Sequence, residues 1–301
     1  MTRLLLIDGN NLLWRNAYMH QTLTYNGVPV GAMYGVFKSL LKLKRDFPLC
    51  ITVIVWDGGH SRRDELSQEG VRIGIIPEAY KENRTREPID EQTKLVRWQV
   101  EQQYASLREG LGFTTAFQVI KKGYEADDLI ATYALTTNST CTIVTSDKDF
   151  YQLLEVGVVM FDPIKEAMFS LERFRAEFGL EDSQQWVDVG ALAGDAGDNI
   201  FGVPGVGEKT AVKLIAEHKT LDRLLVYLHE QNAQNLLTSK KLQAILANEA
   251  RVRLAYRLKQ MDYTVPNLPD IMHLPGDGRK LAAFFEAYGF DSLTGAVSRF
   301  V

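Results

Sequence analysis

Cysteine is almost missing from this chain: there are two in 301 residues, Cys50 and Cys141. Both lie in or beside apolar runs and neither has metal-ligand spacing. That argues against a disulfide scaffold and a thiolate metal site, and the pair reads as small core residues of a reduced, intracellular protein. Long hydrophobic runs are missing too. The N-terminus, MTRLLLIDGNN, has four consecutive apolar residues before a charge, too few for a signal peptide, and no later stretch approaches a bilayer span. A cytoplasmic protein without membrane contact is expected. An excess of basic charge is missing as well, because 34 Lys and Arg stand against 38 Asp and Glu for a net −4; a nucleic-acid partner would ordinarily ask for a basic surface. Repeats and low-complexity segments are absent. With 46% hydrophobic residues, the chain can bury one large core, or a core with a smaller satellite domain.

What is present in unusual density is carboxylate. GYEADD (Gly123 to Asp128) and TSDKD (Thr145 to Asp149) crowd Glu125, Asp127, Asp128, Asp147 and Asp149 into two short stretches. Acids this close repel one another and take up protons unless a divalent cation neutralises them. The second stretch follows a short apolar run from Cys141 and precedes a helical pattern, so Asp147 and Asp149 are expected at a strand's C-terminal end, where open α/β sheets bind ligands. Asp8 after Leu4 to Ile7, and Asp57 after the continuous apolar run ITVIVW, are expected at similar ends. Three strands ending in carboxylates predict acids gathered at one sheet edge. Each acid also has an ordinary reading. Asp127, Asp128 and Asp149 suit helix N-caps or first turns, and Asp8 suits a turn or a phosphatase nucleophile, although Asn10 stands where that pattern wants a second acid. Capping uses one acid per helix, and the surplus points to metal.

Between these stretches, residues 61–92 lose apolar periodicity and carry Arg62, Arg63, Arg72, Lys81, Arg84 and Arg86. So long an excursion reads as a lid or binding loop, or as a solvated surface segment; Tyr80 offers a ring for stacking and Lys81 with Arg84 offers cations for phosphates. Leu95, Trp98, Tyr104, Leu107 and Leu111 recur at helical spacing and predict a core-facing helix. Strand and helix signals alternate up to about Asp162, and the composition turns helical beyond about residue 170. There Trp186 to Ala193 reads as a short apolar helix leading into GDAGDNIFGVPGVGEKTAVKLI. Gly202, Gly205 and Gly207 around Pro204 predict a tight hairpin, and its backbone amides, at the N-terminus of a helix running from Glu208, can hold a phosphate. Lys240, Lys241, Arg251, Arg253, Arg257 and Lys259 supply a basic face or a merely solvated one. Leu281, Phe284, Phe285, Tyr288 and Phe290 are expected to dock the tail on the body.

Taken in order, LLLIDGNN, VWDGG, YKENR, GYEADD, TSDKDFYQL and GDAGDNIFGVPGVGEKTA resemble the flap endonuclease family. The match is to the 5′-nuclease domain of bacterial DNA polymerase I and its free-standing phage and bacterial relatives, from Arg3 to about Pro269. The resemblance implies an α/β fold: a PIN-like, mostly parallel sheet flanked by helices over residues 1–170, with 61–92 as a helical arch. A helical domain over 171–301 would carry a helix-hairpin-helix at about 195–217. It further implies two metal clusters, Asp8, Asp57, Glu125, Asp127 and Asp128 in one and Asp149, Asp195 and Asp198 in the other, with Asp147 between them. Asp195 and Asp198, three apart, are expected on one side of a helical turn. Mg²⁺ suits such oxygen donors, with Mn²⁺ as its substitute and K⁺ at the helix-hairpin-helix. Lys81 and Arg84 would stabilise the scissile phosphate, with Asp147 as a further catalytic residue. Tyr80, Gly202, Val203, Gly205, Val206, Gly207, Lys209 and Thr210 would bind DNA.

The implied activity is structure-specific hydrolysis near the 5′ end of DNA, as a 5′-3′ exonuclease and flap endonuclease. Its substrates would be flaps, nicks, free 5′ ends and RNA/DNA hybrids, including RNA-primer removal. The protein would work as a monomer alongside replication proteins in the cytoplasm of a bacterium or a phage-infected cell. Setting nine metal-site acids aside leaves 29 acidic residues against 34 basic ones, which suits a basic face around an acidic pit. Trp56 stands where the family usually has Phe, and GGHSRRDEL departs from the usual pattern after Asp57. A catalytically inactive junction-binding relative and a single-strand ribonuclease are the competing readings; the first would have lost a carboxylate and the second the Gly-rich turn, and neither is lost.

Overall fold

The structure, a computed structural model, describes residues 2–84 and 90–301. Residues 85–89 of the expected arch, Arg86 among them, lie outside the described residues. In chain order the elements begin with β1 (Arg3–Asp8), α1 (Gly9–Met19), the two-residue strands β2 (Thr24–Tyr25) and β3 (Val28–Pro29), α2 (Gly31–Asp46), β4 (Ile51–Trp56), α3 (Arg62–Arg72) and α4 (Glu91–Leu111). They continue through β5 (Phe117–Ile120), α5 (Ala126–Thr136), β6 (Thr140–Val144), β7 (Val158–Asp162), β8 (Ala167–Phe169), α6 (Leu171–Phe178) and α7 (Gln185–Ala193). Then come α8 (Glu208–His218), α9 (Leu221–Ala233), α10 (Lys240–Ala247), α11 (Glu249–Lys259), α12 (Gly278–Ala287) and α13 (Asp291–Thr294).

The chain forms two compact units, neither continuous in sequence: Met1–Gly59, Pro88–Thr145 and Tyr263–Val301 make the first, and His60–Glu87 with Ser146–Asp262 the second. In the first unit, parallel strands run in the order β5-β4-β1-β6, with Leu4 opposite Ile51 and Cys141. All six side chains of β4 are buried, as a run apolar on both faces requires, and Leu4 to Ile7 of β1 are buried beside them. Helix α5 packs on β1, β4 and β6, while α1, α2 and α4 pack on one another. The expected parallel sheet flanked by helices is what forms. The tail docks as its aromatic pattern predicts, with Phe37 of α2 meeting the rings of Phe284, Phe285, Phe290 and Phe300 at centroid distances of 5.7, 5.1, 6.4 and 6.0 Å.

Helix α4 forms behind its N-cap Asp90, but its buried face differs from the one expected. Val96, Gln99, Val100, Gln103, Leu107 and Leu111 turn inward, whereas Leu95 is exposed and Trp98 is 48% exposed. Gln99 and Gln103 are buried because their amides bond the Gln21 carbonyl and the Met33 N–H, a use that apolar periodicity does not register.

The second unit is largely helical around an antiparallel β7-β8 hairpin. Helix α7 packs against both α8 and α11, and α3 lies on α11. A capping box of Ser61 with Asp64 starts α3, and Gly179, at φ 68°, ends α6 in the left-handed conformation that glycine adopts most cheaply. Among the described residues no helix is long and apolar enough to cross a membrane.

Candidate metal centre

The first unit gathers its acids at the C-terminal edge of the parallel strands. β1 delivers Asp8, whose carboxylate caps α1 by accepting the Asn11 N–H at 2.9 Å. β4 delivers Asp57 next door, since Asp8 pairs in register with Val55. Asp57 Oδ1 accepts the N–H of Ala126, the first residue of α5, at 2.8 Å, and Oδ2 accepts from Asn10 Nδ2 at 2.8 Å. The carboxylate of Asp57 thus ties two strand ends to the helix that carries Asp127 and Asp128 in its first turn behind Glu125. Two glycines permit the approach. A Cβ on Gly9 would stand 2.8 Å from the Trp56 ring, and one on Gly58 would stand 1.7 Å from the Lys121 carbonyl oxygen. Gly58 N–H donates instead to the Tyr124 carbonyl at 2.8 Å, which docks the GYEADD loop beside Asp57. Asn10, which stands where a second acid would be needed for phosphatase chemistry, has another use: its amide donates to Asp57 Oδ2 and accepts the Asp57 N–H at 3.2 Å, and so orients that carboxylate. Glu125 and Asp128 are buried, and Asp8, Asp57 and Asp127 are partly exposed.

The second unit holds the tighter group. Asp149, Asp195 and Asp198 bring carboxylate oxygens within 4.8 Å of one another, and among the described residues they are the one acid trio that does so. Asp8, Asp57, Glu125, Asp127 and Asp128 share a sheet edge without forming such a trio. Asp147 caps the 3-10 turn Lys148–Leu153, accepting the Asp149 N–H at 2.9 Å, so one acid sets the backbone of the next. Asp195 and Asp198 lie on a tight turn and not on a helix, contrary to the expectation from their spacing. Gly194, at φ 73°, ends α7, Asp195 and Ile200 exchange backbone hydrogen bonds of 2.7 and 2.8 Å, and Asp195 Oδ1 accepts the N–H groups of Gly197 at 2.8 Å and Asp198 at 3.3 Å. Short acids prefer to fold such a turn around their own oxygen, and it delivers the same juxtaposition.

Into this trio comes Lys259, the last residue of α11, whose ammonium lies 2.6 Å from both oxygens of Asp149 and 2.7 Å from Asp195 Oδ2. Its side chain is 6% exposed, so it belongs to no basic surface, contrary to expectation. Burial alone would lower its pKa, but the two carboxylates outweigh burial and hold it above the ordinary lysine value. Burial pushes Asp149 up to about 6 despite Lys259, and raises Asp147 as well. Burial pulls Asp195 the same way, but Lys259 and the turn amides hold it below the ordinary value.

Arg84 also reaches the trio, its guanidinium bonding Asp198 Oδ1, while the Lys81 N–H donates to the Asp198 carbonyl at 2.9 Å. Lys81 sits at φ 56°, a strained value for a side-chain-bearing residue, with its ammonium 4.5 Å from the centre of the Tyr80 ring. Tyr80 itself is 5% exposed and its hydroxyl points to Asp198 Oδ2 at 3.5 Å, so its ring is a wall of the site and is not available for stacking on a base. Arg62 and Arg63 are not free cations of an arch. They donate to the carbonyls of Gln260 at 2.8 Å and Leu258 at 2.9 Å, capping the end of α11.

The hairpin between α7 and α8 gives its three glycines three different reasons. A Cβ on Gly202 would stand 2.4 Å from Gly194 N, Gly205 sits at φ 82° with open space around it, and Gly207 has an ordinary φ of −93° and likewise open space. Val203 and Val206 are buried, so their side chains anchor the turn, and their N–H groups are spent on the Leu192 carbonyl at 2.9 Å and the Val203 carbonyl at 3.0 Å. Pro204, Gly205, Gly207 and Lys209 are exposed and Thr210 is partly so.

Comparison with known proteins agrees with this arrangement. Residues 3–179 match the family model "5′-3′ exonuclease, N-terminal resolvase-like domain", and residues 181–278 match "5′-3′ exonuclease, C-terminal SAM fold". A 5′-3′ exonuclease of Bacillus subtilis is 32% identical over 285 residues, covering 87% of this chain and 88% of that one. A thermostable DNA polymerase I of Thermus thermophilus is 35% identical over 97% of this chain, and the DNA polymerase I of Rhizobium leguminosarum 32% over 98%. The chain spans 32% and 28% of those two polymerases' lengths. Among solved structures, the T5 5′-exonuclease with bound divalent metal ions (zinc) shares the fold at a TM-score of 0.64 and 22% identity, over 99% of both chains. The catalytic core of Rad2 in complex with DNA substrate does so at 0.60 and 17%, over 95% of this chain and 88% of that one. With both family models matched in order and a free-standing relative aligned along most of its length, the chain belongs to the 5′-3′ exonuclease family.

Proposed function

We propose that this chain is a divalent-metal-dependent 5′ nuclease, a 5′-3′ exonuclease and flap endonuclease that hydrolyses phosphodiester bonds near the 5′ end of DNA. The observation that carries the reading is the trio Asp149, Asp195 and Asp198 with oxygens within 4.8 Å. The residues fit a hard cation, because all three donors are carboxylates and the trio already draws an ammonium into its midst. Asp8, Asp57, Glu125, Asp127 and Asp128 would hold ions at the sheet edge, and Asp149, Asp195 and Asp198, with Asp147 beside them, would hold them in the second unit. Mg²⁺ is the ion best suited, with Mn²⁺ as its substitute. Bound ions would neutralise the scissile phosphate and lower the pKa of water. Arg84 adds positive charge beside Asp198, and Lys81, tied to Asp198 by its backbone N–H, carries its ammonium over the Tyr80 ring; such charge would count most as negative charge develops on the phosphate. The backbone of the exposed Gly205 and Gly207 at the head of α8, with Lys209 and Thr210, would grip a duplex backbone, with K⁺ as an accessory ion there.

On this reading, residues 1–170 carry the nuclease chemistry together with Asp195 and Asp198, and the rest of 171–301 supplies the helical grip. The substrates are 5′ flaps, nicks and free 5′ ends, including RNA primers on DNA, met in the cytoplasm by a monomer acting beside replication proteins. The test incubates the protein with end-labelled flap, nicked and single-stranded substrates, in Mg²⁺ or in EDTA. Mg²⁺-dependent release of short 5′ products, strongest on flaps and nicks, is expected. Tight junction binding without cleavage would refute the enzyme in favour of an inactive binder, and cleavage confined to single-stranded RNA would refute the substrate class.

A further inference from the structure

Lys259 is placed too deliberately to be an incidental counter-charge. Its stem lies along bare helix: a Cβ on Gly190 of α7 would meet Lys259 Cε at 3.1 Å and Cγ at 3.2 Å. Its backbone is fixed as well. The Lys259 carbonyl accepts from Gln152 Nε2 at 3.1 Å, and the same amide's oxygen accepts the Met261 N–H at 2.9 Å. The flanking carbonyls of Leu258 and Gln260 accept from Arg63 at 2.9 Å and Arg62 at 2.8 Å. Clamped at its root and relieved along its stem, the side chain carries its ammonium to Asp149 and Asp195, two of the three carboxylates of the tight trio. A buried charge pair in this geometry is costly to break by removing one partner, yet a divalent ion offers each carboxylate twice the charge.

We infer that Lys259 is an intramolecular counter-ion that competes with a divalent ion for Asp149 and Asp195, so that loading this cluster requires its ammonium to be displaced. The inference rests on the metal-dependent reading above and adds to it an order of events: the trio binds its ion more weakly than its carboxylates alone would, and it fills last. Without metal, Lys259 keeps the acids together.

The test is Mn²⁺ binding to the full chain without DNA, followed by loss of the free-ion EPR signal. It compares the parent, Lys259→Met, and Lys259→Met combined with Asp195→Asn. Competition predicts that the weaker class of Mn²⁺ binds about tenfold or more tighter in Lys259→Met, and that the gain vanishes in the double variant. A weaker-class constant that is unmoved or loosened, with the tighter class bound as in the parent, overturns the competition alone. Absence of bound Mn²⁺ in every chain overturns the metal-dependent reading and the competition with it. Because Lys259→Met leaves Asp149 and Asp195 facing each other, each chain is also melted in EDTA and in Mn²⁺. Mn²⁺ must raise the Tm of Lys259→Met by more than that of the parent, and an equal rise overturns the proposal. If Lys259→Met folds under neither condition, Gly190→Ala decides. It presses the lysine stem without removing the charge and must tighten the weaker class several-fold; an unchanged constant overturns the proposal.

Discussion

Replacing Asp188 by Asn removes a carboxylate that α7 buries in the second unit. Asp188 is 7% exposed. Burial pushes its pKa from 3.8 up to about 7 even though the Leu221 N–H donates to it, and the nearby Asp222 and Asp182 push the same way. Such a group binds more protons folded than unfolded between these two values, so it opposes folding more and more as pH rises through that window, and fully above it. The rise to about 7 corresponds to on the order of 4 kcal/mol above the folded pKa, of which on the order of 1–2 kcal/mol is already present near pH 5. Asn keeps the volume and the oxygen that accepts the Leu221 N–H, and it cannot ionise. The stability advantage of Asp188→Asn over the parent should therefore grow by on the order of 2–3 kcal/mol between about pH 5 and about pH 8. Urea unfolding of both chains in EDTA across that range measures it, since titrating groups remote from Asp188 cancel in the difference. An advantage that stays flat with pH, or that shrinks as pH rises, would show that the Asp188 carboxylate is solvated in the fold and would refute the reasoning.

Asp127→Asn or Asp147→Asn should abolish cleavage while junction affinity stays within a few fold if, as proposed, these acids hold metal and not substrate; near-parental Mg²⁺-dependent rates in both would break the two-cluster assignment. Lys81→Ala should slow single-turnover cleavage by about 10²-fold with little change in Kd, whereas a loss confined to affinity would make Lys81 a steering charge. Gly207→Ala strains nothing in the fold, so weaker flap binding by a variant of parental Tm would report close approach of the DNA backbone, and parental binding would remove the hairpin from the interface. Gly205→Val should lose both stability and duplex affinity, since its φ of 82° suits glycine. Lys209→Ala should lower the salt slope of binding by about one unit, and an unchanged slope would mean that Lys209 touches no phosphate.

Much of the site was legible from local pattern. A strand apolar on both faces, such as Ile51–Trp56, can only be central, and an acid just beyond it can only emerge at the strand's C-terminal edge, so Asp8 and Asp57 were placed before any fold was known. The Gly-rich turn was legible from its crowding of Gly around Pro204, although of its three glycines only Gly205 takes a φ, 82°, that favours glycine. What the sequence could not determine were the partners met across long separations. Asn10 looked like a missing acid until the parallel pairing of β1 with β4 set its amide against Asp57, 47 residues away. Nothing local to Gly58 shows that the Lys121 carbonyl stands where a side chain would be. The basic residues misled most, because a charged side chain has no periodicity that says which charge is buried. Arg62 and Arg63 cap a helix nearly 200 positions later, and Lys259, 110 positions from Asp149, occupies the acids' own site. Asp195 and Asp198 show the same division: spacing alone predicted their proximity, but whether helix or turn achieved it depended on the end of α7 at Gly194 and on the backbone pairing of Asp195 with Ile200. Local chemistry decides what a residue can do, and only the tertiary structure decides which distant group it does it to.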